Sequence, residues 1–220
     1  VLDRNRGDVY NYLYNAILTQ ELKPGQPISE IGISKALGIS RSPLREALRI
    51  LQAEGLVNHY PGRGMFVAAF TEKDLMEVYA LRELFEVYSL ENMIRYVSDE
   101  QLDKLEENFR NAKQDSGFDR EKMFQADLAL HSAIIKGSGN YRLQEFMNTL
   151  DIQSNVIKNI SRGIPELFQI SCEKHIAIIQ AIRERNLELA QERLRNHIQE
   201  AKHRTIEAIR TSEITGIKPD

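Results

Sequence analysis

The chain has 220 residues, enough for one or two domains, and at 42% hydrophobic and 28% charged it has the make-up of a globular protein with its own core. No apolar run approaches the ~20 residues of a membrane span. The opening VLDRNRGDVY lacks the apolar stretch of a signal peptide, and a lone cysteine, Cys172, excludes an internal disulfide and predicts a reducing, cytoplasmic setting. The net charge of −3 is unevenly spread: residues 1–70 carry 8 Lys/Arg against 6 Asp/Glu, and residues 71–220 carry 21 against 26.

The first helix is predicted from about Asp8 to Gln20, with Val9, Leu13, Ala16 and Ile17 on one face. Lys23-Pro24-Gly25 ends it, because proline removes a helical donor and glycine permits a turn. Ser29 is placed to cap a short second helix carrying Ile33, Ala36 and Leu37, and Gly38 supplies a tight turn. A third helix sets Leu44, Ala47, Leu48 and Leu51 at i, i+3, i+4 and i+7, with Pro43 in its tolerant first turn. Glu54-Gly55 stops it. A hairpin between Leu56–Tyr60 and Met65–Ala69 follows, with Gly62, Arg63 and Gly64 at its tip.

This order of elements predicts a winged helix-turn-helix. Arg41, Arg45 and Arg49 lie at i, i+4 and i+8, a stripe beside the apolar face of the third helix. Guanidinium groups there can fork onto guanine O6 and N7 or onto phosphate. Ser40 and Ser42 sit at the helix start, where hydroxyls and free N–H groups can hold phosphate, and Arg63 is placed to follow the backbone or enter the minor groove. An isolated arginine stripe is more often a solvated helix face. Here the same reading would also have to account for the helix and turn before it and the Gly-Arg-Gly hairpin after it.

Beyond Phe70 only helical periodicity is found, to about Thr211, with breaks near Ser98, Ser116–Asp119, Gly137–Asn140, Gly163–Pro165 and Asn186. That predicts about six helices and no strand, opened by a capping-box-like Thr71-Glu-Lys-Asp74. The expected division is a DNA-reading domain over 1–70, an all-α effector, metal-binding and dimerisation domain over 71–214, and a frayed tail over 215–220. The fold class is mainly α.

Polar residues on the apolar faces of these helices carry the second functional signal. Asp127 and His131 share a face with Phe124, Leu128 and Ile135; His175 lies with Ile178, Ile179 and Ile182; His197 lies with Ala190, Leu194 and Ala201. A carboxylate in a core stripe is costly unless paired or bound to metal. One Asp and three His suit a divalent transition metal with an open position, although a single core histidine is more often a hydrogen-bonded packing residue. Cys172 and His175 form C-x2-H, but with no second such pair Cys172 reads as a small buried apolar residue. Arg82 falls with Leu75, Val78, Tyr79 and Phe85, and Asn155 with Ile152, Val156 and Ile160. Both are candidates to bind an effector, Arg82 through a ligand carboxylate, with Glu86 one turn on as its alternative structural partner.

Residues 28–67 resemble the DNA-binding domain of the GntR family of bacterial transcriptional regulators, through LGISRSPLREAL (37–48), EGLV (54–57) and GRG (62–64). The resemblance implies that Ser40, Arg41 and Arg45 align with family DNA contacts and Gly62-Arg63 with the wing. Ile31 departs from it, since many members carry a basic residue there. Residues 71–211 resemble the FCD ligand-binding domain of the fatty-acid-regulator-like branch, whose Asp-x3-His and two later histidines are matched by Asp127, His131, His175 and His197. That implies zinc, nickel or a similar ion, supporting the fold or helping to hold a small carboxylic acid, with an arginine at the place of Arg82. The expected protein is a homodimeric regulator, most simply a repressor, on a pseudo-palindromic double-stranded operator, with no membrane partner and no enzymatic activity. A pure metal sensor and a helical metalloenzyme are the alternatives.

Overall fold

The computed structural model describes residues 6–114, 117–160 and 166–210. Three helices open the chain: α1 (Arg6–Leu18), α2 (Glu30–Leu37) and α3 (Arg41–Ala53). Strands β1 (Val57–Tyr60) and β2 (Gly64–Val67) follow. Then come α4 (Glu72–Tyr96), α5 (Asp99–Ala112), the two-residue strands β3 (Lys113–Gln114) and β4 (Gly117–Phe118), α6 (Arg120–Gly137), α7 (Tyr141–Ile160), α8 (Glu166–Arg183) and α9 (Leu187–Arg210). Six helices beyond residue 71 match the expected number among the described residues. No helix among them is long and apolar enough to cross a membrane.

The chain forms two compact units. One comprises Val1–Leu75, Thr149–Ile160 and Ala208–Asp220; the other comprises Met76–Asn148 and Ser161–Glu207. In the first, Val9, Leu13, Ala16 and Ile17 of α1 are buried, as are Leu44, Ala47, Leu48 and Leu51 of α3. The i, i+3, i+4, i+7 spacing explains this, since it lays four side chains along one face of a helix. Ser29 caps α2 by accepting from the Gly32 N–H at 3.1 Å. Gly38 ends it at φ +66°, a left-handed position that favours glycine. None of the residues of α2 is fully buried, and Ala36 is exposed.

The hairpin β1–β2 is antiparallel, with Val57 opposite Val67 and Tyr60 opposite Gly64. The segment before α2 lies along its outer edge, where Ile28 N–H donates to Met65 O at 2.8 Å and Val67 N–H to Gln26 O at 2.9 Å. The last part of α7 also belongs to this unit. Gln153 Nε2 donates to Glu54 O at 3.0 Å, at the end of α3.

Helix α4 starts at the anticipated box: Thr71 N–H donates to Asp74 Oδ2 at 2.7 Å and Asp74 N–H to Thr71 Oγ1 at 3.1 Å. Ser98 caps α5 in a complete capping box with Gln101, and Asp119 caps α6. Asn186 Oδ1 accepts from Leu189 N–H at the start of α9. The expectation of no strand beyond 70 is corrected by β3–β4, where Lys113 pairs with Phe118 and Gln114 with Gly117. Two-residue strands are too short to show alternation in a sequence. The predicted break at Gly163–Pro165 and the tail 215–220 lie outside the described residues.

Leu48 is fully enclosed between α1 and α3, so Leu48→Ala is expected to cost about 2–5 kcal/mol, read as a lower midpoint of chemical denaturation.

Candidate metal centre and nucleic-acid interface

Helix α3 buries its leucines and leaves Arg41, Ser42, Arg45 and Arg49 exposed, with Ser40 exposed at its N-cap. The Ser40 side chain makes no capping bond to its own helix, so the first-turn N–H groups of α3 face outward without it. Arg45 Nε donates to Glu30 Oε2 at 2.7 Å, a solvent-exposed pair of small energetic weight. In the wing, Gly62 adopts φ +74°, Arg63 N–H closes the turn onto Tyr60 O at 3.0 Å, and the Arg63 guanidinium lies near the rings of Tyr60 and Phe66, 6.0 and 5.6 Å from their centroids. Ile31, where a cation was expected by resemblance, is 62% exposed. The exposed cations of α3 and the wing tip therefore form the basic surface of this unit.

In the other unit, α6, α8 and α9 bring Asp127, His131, His175 and His197 together. One donor atom from each lies within 4.8 Å of all the others. The three histidines are buried and Asp127 is partly so. His175 Nε2 is 3.1 Å from His197 Nε2 and 3.1 Å from Asp127 Oδ1, and His131 Nε2 is 3.5 Å from the same carboxylate oxygen. A tetrahedral ion with bonds of ~2.0–2.2 Å has donor-to-donor edges of about 3.4 Å, so these separations fit one shared ion. The buried His131 Nε2 has no hydrogen-bond partner, which is the expected condition of a ligand nitrogen rather than of a packing residue. Burial, reinforced by His175 and His131 and opposed by Asp127, holds the His197 ring well below the ordinary histidine range. Its neutral form is the one that ligates a cation.

Phe109 of α5 stacks on His175, with centroids 4.7 Å apart at 20°. Cys172 is a buried free thiol, pushed up by burial, in keeping with a packing role.

Helix α4 supplies the residues beside this cluster. Arg82 and Glu86, one turn apart, are 1% and 0% exposed. Arg82 Nε donates to Glu86 Oε1 at 2.9 Å, so the partner foreseen from spacing is the one found. The sequence reading missed the second oxygen: Glu86 Oε2 lies 2.5 Å from His131 Nδ1. Only the burial of Glu86 on an apolar face signalled a further partner. The Arg82 guanidinium is 5.4 Å from the centroid of the Tyr79 ring, whose hydroxyl meets Thr205 at 3.3 Å. Asn155 lies in the last part of α7. It belongs to the other compact unit, is half-buried, and its side chain is hydrogen-bonded with Tyr14. Its apolar neighbours marked a face of α7 without revealing what covers it, and the side chain of Ile160 lies outside the described residues.

Residues 5–67 match the family described as bacterial regulatory proteins, gntR family, and residues 77–200 match the FCD domain. The chain belongs to the GntR family and carries an FCD domain. An HTH-type transcriptional regulator from an unstable DNA locus of Streptomyces ambofaciens is 30% identical over 88% of this chain and 82% of its own length. A probable D-xylose utilization operon transcriptional repressor of Paenarthrobacter nicotinovorans is 28% identical over 86% of this chain and 84% of its own.

Among solved structures, a GntR transcriptional regulator from Rhodococcus sp. RHA1 has 24% identity and a TM-score of 0.79, covering 92% of this chain and 98% of that one. The Zn2+-bound FCD domain of TM0439 has 23% identity and a TM-score of 0.57, covering 66% and 99%. These two likenesses concern the fold. The families and relatives are transcriptional regulators, not enzymes, and this GntR chain is a DNA-binding transcriptional regulator.

Proposed function

We propose that this GntR regulator is a homodimeric repressor that reads a pseudo-palindromic operator and answers to a small carboxylic acid held beside a divalent transition metal, zinc or nickel. The observation that carries the reading is the convergence of Asp127, His131, His175 and His197 from three helices onto one buried point. Three imidazoles and a carboxylate are a transition-metal donor set, and three or four protein ligands leave room for a ligand oxygen. A bound ion would supply a positive charge in a low-dielectric interior and would fix an acid's orientation. The protein's own contribution is to hold the four donors and, through Arg82, to place a second cation along α4. Arg82 remains the effector residue of this proposal, whereas Asn155, engaged with Tyr14, is left out of it.

Operator reading is assigned to Ser40, Arg41, Ser42, Arg45 and Arg49 of α3 and its cap, and to Gly62 and Arg63 of the wing. Their common exposure supports this, as does the fit of such a helix to a major groove. The basic excess is small, so useful affinity calls for two copies on one duplex. An apolar patch suits that purpose: Leu84, Tyr88 and Phe146 are 61%, 56% and 52% exposed, and Phe146 meets Phe85 edge-on at 5.5 Å. Contiguous apolar surface of this kind is a usual mark of a protein interface. The acid alters operator affinity only to the extent that it prefers one arrangement of the dimer over the other. The repressor named for the D-xylose operon in a relative supports the sign.

A second reading, in which the metal alone is the signal, is favoured by the burial of all three histidines. Operator affinity that tracks zinc content with no organic acid present would select it; release of operator by a small acid at constant zinc would select the first.

Arg45→Ala is expected to weaken operator binding by about 1–3 kcal/mol and relax its specificity, measured by titration of labelled duplex. His131→Ala combined with His175→Ala should remove the bound metal by elemental analysis; full retention would sink the cluster as a metal site. Leu84→Asp should shift the protein toward monomer in sedimentation velocity, and an unchanged dimer would move the interface elsewhere.

A further inference from the structure

We propose that Glu86 is a positioning residue for the metal site: it fixes the ring tautomer of His131 so that Nε2 presents a lone pair to the ion, and Arg82 in turn fixes Glu86. This rests on the metal reading above and extends it to a residue that is not itself a ligand.

Glu86 is fully buried, and each of its oxygens faces a different donor. Oε1 accepts from Arg82 Nε at 2.9 Å, and Oε2 is 2.5 Å from His131 Nδ1. An ionised carboxylate has acceptors only, so the ring nitrogen that faces it carries the hydrogen. A neutral imidazole protonated at Nδ1 has its lone pair at Nε2. That nitrogen is buried, makes no hydrogen bond, and lies 3.5 Å from Asp127 Oδ1. The opposite tautomer would place a hydrogen inside the donor set and block ligation. A carboxylate behind a ligating histidine raises its basicity and orients its ring. A salt bridge needed only for packing would use Oε1 and Arg82 and leave no reason for Oε2 to reach across to α6.

The arrangement also dictates what glutamine cannot do at this position. Arg82 Nε and His131 Nδ1 are both N–H donors, and an amide offers a single acceptor oxygen. Its NH2 must then confront one of the two donors. If it faces His131, the ring is driven to the tautomer with hydrogen on Nε2. Aspartate keeps the charge for Arg82 but is one methylene short of His131.

The test measures zinc affinity by competition with a chromophoric chelator in the full-length wild type, Glu86→Gln and Glu86→Asp. Alongside it, the histidine ring tautomers of the metal-free proteins are read from ¹H–¹⁵N spectra. Expected is a loss of zinc affinity of roughly 10–100-fold in both variants, with the Nδ1–H form of His131 dominant in the wild type and depleted in Glu86→Gln. If Glu86→Gln fails to fold, Glu86→Asp carries both readouts. Zinc affinity within twofold of wild type would overturn the proposal. So would weaker zinc binding with the Nδ1–H form intact, because packing alone would then account for the loss. If the wild type binds no zinc, the metal reading fails on its own, and the metal-free spectra still judge Glu86: depletion supports the positioning role, and an unchanged tautomer overturns it.

Discussion

The interior of the FCD domain is organised by the cost of burying charge. Glu86 has no exposed surface, and removing a carboxylate from water costs several kcal/mol unless donors take over from the solvent. Arg82 supplies one donor and His131 the other, which ties α4 to α6 at a defined register. His131 shares its helix face with Asp127, and Asp127 reaches His175 on α8, beside His197 on α9. Four helices thus meet through polar atoms that have few other places to go. Leu130, Ile134, Ile178 and Leu194 are buried and supply bulk apolar burial, which tolerates sliding; directional hydrogen bonds do not.

The DNA-reading unit follows a different economy. Its apolar core is a conventional packing of α1 on α3, and the arginines of the stripe lie outside it. The contact of Arg45 with Glu30 on the arginine stripe lies in solvent, where such pairs contribute little. Exchanging that partner for a phosphate or a guanine edge therefore costs little. Ile31 gives α2 an exposed apolar side chain, and the exposed arginines of the stripe lie on α3.

How much of this was legible depends on what each feature asks of the chain. The buried faces of α1 and α3 were readable because helical spacing alone determines which side chains share a face. The caps at Ser29, Thr71 and Asp74 were readable because they are local. Asp127, His131, His175 and His197 could be grouped because each broke an apolar stripe. The β3–β4 ladder left no trace, being two residues long on each side. Asn155 shows the general limit: periodicity identified its face, but the partner, Tyr14, is 141 positions away in the chain. Glu86 shows the same limit from the other direction, because its bond to Arg82 is local and its bond to His131 is not.

Helix α7 has a consequence for how the chain can be divided. Residues Thr149–Ile160 count with the first compact unit although they lie in sequence far inside the FCD region, and Gln153 reaches the carbonyl of Glu54 where α3 ends. Cutting after residue 70, or grafting this N-terminal segment onto a foreign effector domain, would strip that carbonyl and the neighbouring Tyr14 of their helical cover. Chimeras assembled at the obvious seam in the sequence would need a compatible stretch of α7 to come with the reader.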